Sequence, residues 1–295
     1  MKPEGVLPAV TTPFDADDRI DEAALRANLR RQIDAGVGGI VAMGTMGESG
    51  ALALSEREQV LAAMVDECGS DCPVWAGVSA DRPAVARAYA EQAASVGAAG
   101  VMSLPPVLYD AQLHELVAHY DAVAQAGLPI MVYNNPGASH SDLLPETICA
   151  VAREVEAIES VKECSGDARR IAELLERSGG SLDVFVGGDD WALEGFAAGA
   201  RGWVSGCANP APRECVTLWE RVRDGDLAGA RELYVRLLPL ARLDMSPRLV
   251  QYYKAALDEV GAYGGPVRPP RMALLPADLE RVRSALAALA VTARA

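Results

Sequence analysis

The chain has 295 residues, of which 50% are hydrophobic and 23% are charged, and its formal net charge is −14 at pH 7. This is the composition of a globular protein large enough to bury its own core; no apolar stretch approaches the roughly 20 residues that span a bilayer, and the start lacks the apolar segment of a signal peptide, which predicts a cytoplasmic protein. The acidity and the lack of Lys/Arg runs exclude nucleic acid as a partner, but not a small anionic substrate, because backbone N–H groups can hold a carboxylate.

Short apolar runs alternate with helical patterns about every 25 to 30 residues from the start of the chain. Eight repeats of strand and helix are the number that closes a parallel barrel, whereas an open doubly wound sheet more often has fewer strands. The sequence therefore predicts an α/β fold, a (β/α)8 TIM barrel, over residues 1–224. The predicted strands are Gly5–Val10, Gly39–Met43, Val74–Val78, Gly100–Leu104, Pro129–Tyr133, Ala157–Val161, Asp183–Val186 and Gly202–Ser205.

Start signals support the intervening helices. Asp21 precedes one helical stretch, and Ser55 with Glu58 three residues later has the spacing of a capping box. After about residue 224 no further strand is predicted, only helical stretches separated by a loop rich in Gly and Pro. We therefore predict a C-terminal helical extension, residues 225–295, that packs on the barrel. Its helical stretches are Leu227–Leu240, Pro247–Val260 and Pro276–Ala290.

One of only three lysines, Lys162, follows the apolar run that ends at Val161. Beside apolar surface an ammonium group loses solvation, so the pKa is expected to fall and the amine to become a nucleophile toward a carbonyl. The alternative is a lysine that merely extends from a strand end into solvent. Tyr133 ends the preceding strand, and adjacent strands of a parallel barrel end at the same mouth. Tyr133 and Lys162 are therefore predicted neighbours, which is the arrangement that Schiff-base formation needs.

The second strand is followed by a glycine-containing turn, residues 44–49, which is neither a Walker loop nor a dinucleotide fingerprint. It is either an ordinary tight turn or a carboxylate site built from backbone N–H groups. Asp189 and Asp190, after the seventh strand, could form an acid–base pair but are interpreted as the N-cap and first turn of the next helix. The three histidines, His114, His119 and His140, do not cluster, which disfavours a metal-dependent aldolase.

Three motifs occur in the order and spacing of the dihydrodipicolinate synthase and N-acetylneuraminate lyase family, and the resemblance covers essentially the whole chain. The resemblance implies a (β/α)8 barrel, usually a homotetramer, that needs no metal or cofactor and forms an imine between a lysine and a 2-oxo acid. The motifs are Gly44-Thr45-Met46-Gly47-Glu48, Tyr133-Asn134-Asn135-Pro136 and Val161-Lys162-Glu163.

The resemblance also implies a role for each matching residue. By that match Lys162 forms the imine, Tyr133 donates and accepts protons, and Thr45 relays them. The substrate-binding residues implied by the same match are Met46 and Gly47, whose N–H groups hold the carboxylate, and Gly188 and Val204, which line the floor. Tyr109 is a further candidate, one residue after the position at which the family has a tyrosine.

Departures from the family pattern bear on the substrate. Synthases that make dihydrodipicolinate carry an arginine two residues after the proline of the tyrosine motif, where this chain has Ala138. Met46 replaces a second threonine in the turn. Leu108 stands where the family lends a tyrosine across a subunit interface, and Tyr109 follows it. These differences disfavour lysine biosynthesis.

One subgroup is more similar, the 1-pyrroline-4-hydroxy-2-carboxylate deaminases. The similar stretches are Leu104-Pro105-Pro106-Val107-Leu108-Tyr109, Asn134-Asn135 and the late segment Asp244–Arg271. The resemblance implies that the lysine attacks the ring C=N carbon of a cyclic imino acid, that the C4 hydroxyl leaves as water, and that hydrolysis releases ammonia. The alternatives are a pyruvate-dependent aldolase or lyase with the same catalytic residues, and an inactive family member that binds a 2-oxo acid or has a regulatory role.

Overall fold

The computed structural model describes residues 2–70 and 72–289. Within these ranges eight parallel strands form one sheet in the order β1-β8-β7-β6-β5-β4-β3-β2. A parallel bridge between Ala9 and Val41 joins the two ends of the sheet, so the barrel closes. The strands are β1 Gly5–Pro8, β2 Ile40–Ala42, β3 Val74–Gly77, β4 Gly100–Ser103, β5 Ile130–Asn134, β6 Ile158–Glu163, β7 Asp183–Val186 and β8 Gly202–Ser205.

Helices surround the sheet, as the predicted (β/α)8 TIM barrel requires. Each strand is buried and rich in apolar residues because helices cover the outside and side chains fill the inside. The helices that follow the strands are α1 Glu22–Asp34, α2 Leu54–Cys68, α3 Pro83–Ser95, α4 Leu113–Ala124, α5 Pro145–Glu154, α6 Arg169–Ser178, α7 Ala192–Ala197 and α8 Pro212–Arg223. The fold class predicted from the sequence is confirmed.

The helix-start signals are confirmed in one case and wrong in the other. The Asp21 carboxylate accepts the backbone N–H of Ala24 at 2.9 Å and caps α1. The capping box predicted at Ser55 and Glu58 is not formed, because α2 begins at Leu54. Glu56 instead accepts the backbone N–H of Ala53 at 2.8 Å.

Three further helices follow the barrel: α9 Leu227–Ala241, α10 Leu249–Glu259 and α11 Pro276–Leu289. Helix α9 packs against α8 and α11, and α10 packs against α11. The last residue of the predicted third stretch, Ala290, and the rest of the predicted extension to residue 295 lie outside the described residues. The division of the chain at residue 224 stays a prediction. Among residues 2–70 and 72–289, none of the helices combines the length and the hydropathy of a membrane-spanning segment.

Candidate active site

Lys162 and Tyr133 lie side by side on adjacent strands. In the register of β5 and β6 the two residues are direct partners, and the Lys162 Nζ atom is 4.1 Å from the centroid of the Tyr133 ring. Both are buried, with 6% and 5% of their surface exposed. The sequence predicted that the strand ends at Val161 and that Lys162 follows it, which is wrong. Lys162 lies within β6, because the strand continues to Glu163 and pairs with both neighbouring strands.

A cavity of about 280 Å³ opens at the carboxyl ends of the strands, and both residues line it. Residues from the barrel strands and their loops form most of the wall, and a segment between α9 and α10 completes it. The barrel contributes Ala9, Gly44, Thr45, Met46, Met102, Tyr133, Asn135, Gly137, Ala138, Lys162, Cys164, Gly187, Gly188, Val204 and Gly206. The later segment contributes Asp244, Met245, Ser246 and Pro247, and Leu249 comes from the first turn of α10.

Most of the residues singled out from the sequence meet in this cavity. Thr45, Met46, Gly188 and Val204 line it together with the lysine and the tyrosine. Gly47 does not, and its N–H group donates to the Gly44 carbonyl at 3.1 Å.

Tyr109 is also absent from the cavity lining and is 48% exposed. Its backbone carbonyl accepts the hydroxyl of Ser141 at 2.8 Å. The structure therefore does not bring this residue to the site within one chain.

The protonation of Lys162 differs from the expectation. Burial by itself lowers the pKa of the ammonium, but the negative charges that Tyr133, Cys164 and Asp244 can carry raise it, and the pKa lies above its ordinary value. The lowered pKa that we expected from the sequence is therefore wrong. Strand position and apolar neighbours account for the desolvation, but sequence patterns do not place Asp244, which comes from a distant part of the chain. The resting site holds the ammonium form, and the free amine must be produced by proton transfer within the cavity.

Tyr133 keeps its proton at neutral pH. Burial raises the pKa of the phenol, and the nearby Lys162 opposes this effect only in part. The phenol oxygen accepts a hydrogen bond from the Asn135 Nδ2 atom at 2.8 Å. The sequence did not single out Asn135 for the chemistry, although it is two residues from Tyr133, a spacing that places both side chains on the same side of an extended chain.

The turn after β2 is stabilised by its own hydrogen bonds and by one buried ion pair. The N–H groups of Gly47 and Glu48 donate to Gly44 and Thr45, and these bonds do not use the N–H groups of Thr45 and Met46. Glu48 has a left-handed φ of 53°, which is unfavourable for a residue with a side chain. Its carboxylate lies 2.7 Å from the Lys254 Nζ atom, so α10 supports the turn.

Asp189 supports the loop after β8, which lines the cavity at Gly206, and does not cap a helix. A short 3-10 turn, Asp189–Trp191, precedes α7, and Gly188 is at its N-cap. The buried Asp189 carboxylate accepts the N–H groups of Gly206 at 3.2 Å and Cys207 at 2.7 Å. It also accepts the hydroxyl of Tyr253 at 2.7 Å. The predicted structural role is therefore realised through long-range contacts, and the predicted N-cap is wrong.

The cavity wall contains few charged side chains. Among the lining residues, all of which lie in the described ranges, Lys162 is the one cationic side chain and Asp244 is the one carboxyl group. Ala138, at the position where the sequence comparison expects an arginine in synthases that make dihydrodipicolinate, is in the wall. The described residues also contain no group of three or more His, Cys, Asp or Glu side chains arranged to hold a metal ion.

Comparison with known proteins agrees with this geometry. Residues 2–289 match the dihydrodipicolinate synthetase family. A 4-hydroxy-tetrahydrodipicolinate synthase of Methanopyrus kandleri is 36% identical over 269 residues, which are 90% of each chain. An uncharacterized DapA-like lyase of Halobacterium salinarum is 37% identical over 268 residues, 90% of this chain and 87% of the relative.

Solved structures give the same result. The 4-hydroxy-tetrahydrodipicolinate synthase of Methylacidiphilum fumariolicum SolV superposes with a TM-score of 0.93 at 28% identity, over 98% of this chain and 96% of the other. The chain belongs to the dihydrodipicolinate synthetase family, and it is a lyase of the class I type, which works through a lysine Schiff base.

Proposed function

We propose that this lyase dehydrates and deaminates a cyclic imino acid of the 1-pyrroline-4-hydroxy-2-carboxylate type through an imine on Lys162. The observation that carries the proposal is the wall of the cavity, in which Ala138 replaces the arginine of the synthases and Lys162 is the one cationic side chain. A substrate with one carboxylate can use the N–H groups of the turn that holds Met46. A second carboxylate would meet no cation, and burying it unpaired is costly.

The protonation of the site also suits an imino acid. A ring C=N carbon becomes electrophilic when its nitrogen is protonated, and Lys162 rests as an ammonium with its pKa above the ordinary value. Transfer of that proton through Tyr133 to the ring nitrogen activates the substrate and frees the amine in one event. Proximity of the two side chains, 4.1 Å from Nζ to the ring centroid, allows this transfer within the cavity.

Lys162 and Tyr133 take part in the steps that open the ring and form the enamine. The Lys162 amine adds to C2, the C2–N bond of the ring breaks, and the leaving nitrogen takes a proton from Tyr133. The resulting phenolate removes a proton from C3, the electron pair forms an enamine, and its collapse expels the C4 hydroxyl as water. After C3 and C4 gain one proton each, one from C5 and one from the nitrogen on C5, one water hydrolyses the C5 imine to release ammonia. A second water hydrolyses the lysine imine, so that one water is consumed overall. Thr45 would relay protons to Tyr133.

The second candidate is a pyruvate-dependent synthase or aldolase. The observation in its favour is that relatives such as the one from Methanopyrus kandleri are named 4-hydroxy-tetrahydrodipicolinate synthase. It would use the same lysine and tyrosine and differ in the second substrate. A homo-oligomer and a cytoplasmic location stay predictions under either function.

Borohydride trapping tests the proposal. The protein is incubated with 1-pyrroline-4-hydroxy-2-carboxylate or with pyruvate, reduced, and weighed intact, and ammonia release is followed in parallel. We expect an adduct and ammonia with the imino acid, and no useful condensation of pyruvate with aspartate semialdehyde. Lys162→Ala should lose the adduct, whereas Lys2→Ala, at an exposed lysine, should keep it. Efficient condensation without ammonia release from the imino acid would reject the proposal in favour of the synthase.

A further inference from the structure

The segment between α9 and α10 brings an acid into the cavity. Asp244 lies in its wall, although it is more than 80 residues from Lys162 in the sequence. The segment is held in place by backbone turns, since the N–H groups of Leu243 and Asp244 donate to Leu240 and Ala241, each at 3.1 Å. The Leu243 side chain is buried. The position of Asp244 is therefore fixed by the fold.

Asp244, Lys162 and Tyr133 line the same cavity. Its charge is one of the influences on the pKa values of Lys162, Tyr133 and Cys164. Tyr133 and Lys162 are needed at C2 and C3 of the substrate, while the leaving hydroxyl is on C4. A separate proton donor is therefore required further from the lysine. Among the lining residues Asp244 supplies the one carboxyl group, and burial keeps the Cys164 thiol a weak acid by raising its pKa to about 12.

Asp244 gains a proton when the charge of Lys162 is lost, and a second buried carboxyl group, that of Asp189, favours this. Burial raises the pKa of Asp244 well above its ordinary value, the negative charge of Asp189 raises it further, and Lys162 opposes both effects in part. Asp189 accepts three donors, from Gly206, Cys207 and Tyr253, which stabilise its ionised form. Two neighbouring carboxyl groups do not readily ionise together. The one with fewer donors, Asp244, therefore takes up a proton once Lys162 is no longer charged.

We infer that Asp244 is a further catalytic residue, the general acid that protonates the C4 hydroxyl as it leaves. This inference rests on the proposed function. In the step, the enamine electron pair forms the C3–C4 double bond, the C4–O bond breaks with its electrons on oxygen, and the Asp244 proton joins that oxygen to give water. The Lys162 nitrogen loses two protons as the ammonium becomes the imine: one reaches the ring nitrogen through Tyr133, and the other gives Asp244 the proton that it donates. Hydrolysis of the lysine imine by water restores the ammonium, and Asp244 ends as a carboxylate. General acids of this kind accelerate a step by about 10² to 10⁴.

Trapping with borohydride during turnover tests the inference. The Asp244→Asn variant keeps the size of the side chain but lacks the acidic proton. We expect it to form as much Lys162 adduct as the wild type, but the adduct should keep the C4 hydroxyl and be heavier by one water than the dehydrated adduct of the wild type. Ammonia release should fall by about 10² or more. The matched control is Asp183→Asn, at a half-buried aspartate that begins β7 and lies outside the cavity lining, and it should behave as the wild type.

The outcomes separate this inference from the proposed function. A dehydrated adduct and undiminished ammonia release in Asp244→Asn would overturn the role of Asp244 alone. A wild-type protein that forms no dehydrated adduct would overturn the proposed function and this inference with it. If Asp244→Asn does not fold, as judged by circular dichroism, Asp244→Glu replaces it. That variant retains a carboxylic acid, so it should still form dehydrated adduct; an adduct that kept the hydroxyl would count against proton donation from this position.

Discussion

The ion pair between Lys254 and Glu48 should dominate the stability of the active-site turn. The Nζ and Oε1 atoms lie 2.7 Å apart, and 2% and 0% of the two side chains are exposed. The two groups attract as an ion pair, but the Glu48 Oε1 atom accepts no hydrogen bond of good geometry. Lys254 also donates to the Pro266 carbonyl at 2.7 Å. The informative perturbation is Lys254→Met, which keeps most of the volume and removes the charge.

The magnitude follows from the geometry. Two unit charges 2.7 Å apart attract by about 6 kcal/mol at an effective dielectric constant of ~20. Desolvation costs several kcal/mol for each ion, so the intact pair adds little net stability. Removing Lys254 leaves the buried Glu48 carboxylate without its nearest cation. Two partners remain: the backbone N–H of Arg268, which donates to the carboxylate at 3.1 Å, and the guanidinium of Arg271, which is 3.9 Å away. Loss of one partner of a buried pair costs about 3 to 5 kcal/mol, and we expect the lower end because Arg271 remains.

Urea denaturation at matched protein concentration measures this cost. The control is Arg283→Met, which removes a surface pair at the same kind of distance, 2.9 Å from Glu259, with 53% and 31% of the side chains exposed. Such a pair is worth less than about 1 kcal/mol. The double variant Glu48→Gln with Lys254→Met should recover part of the loss, because it leaves no unpaired charge. If Lys254→Met lowers the free energy of unfolding no more than Arg283→Met does, the reasoning about a stranded buried carboxylate is wrong.

Two further outcomes are expected. A hydrogen bond from Arg268 lowers the pKa of Glu56 below its ordinary value of 4.5. The stabilisation of the folded protein by the ionised Glu56 is therefore fully present above pH 4.5 and is lost as the pH falls through the lowered pKa. Glu56→Gln should reduce the free energy of urea unfolding more at neutral pH than in acid, and an equal loss at both pH values would contradict this. A Cβ atom on Gly206 would lie 2.7 Å from Tyr253 and 2.8 Å from Met46. Gly206→Ala should therefore lower the free energy of unfolding by about 1 to 3 kcal/mol and raise KM. An unchanged thermal midpoint would show that the site can relax around the added methyl group.

The barrel and its central pair could be predicted because both depend on local patterns and on a general rule of the fold. Apolar runs of strand length repeat along the chain, and parallel neighbours end at one mouth, so Tyr133 and Lys162 were expected to meet. The end of β6 was placed too early because the run of apolar residues stops at Val161. Glu163 nevertheless pairs as part of the strand, and its carboxylate accepts Asn134 Nδ2 at 3.0 Å and the N–H of Ser165. A charged residue that is paired in this way carries no strand signal in the sequence.

The contribution of the C-terminal extension could not be predicted from the sequence, because it consists of contacts between residues far apart in the chain. Periodicity shows that α10 has a buried face, but it does not show that this face holds Lys254 against Glu48 and Tyr253 against Asp189. Without these partners two buried carboxylates of the barrel would lose their nearest cation and hydroxyl donor, at a cost comparable to the whole stability of many domains. The cavity wall would also lose Asp244. The extension is therefore better regarded as part of the active site than as packing added to a complete barrel, and the raised pKa of Lys162 reflects this dependence, since one of the acids that raise it comes from the extension.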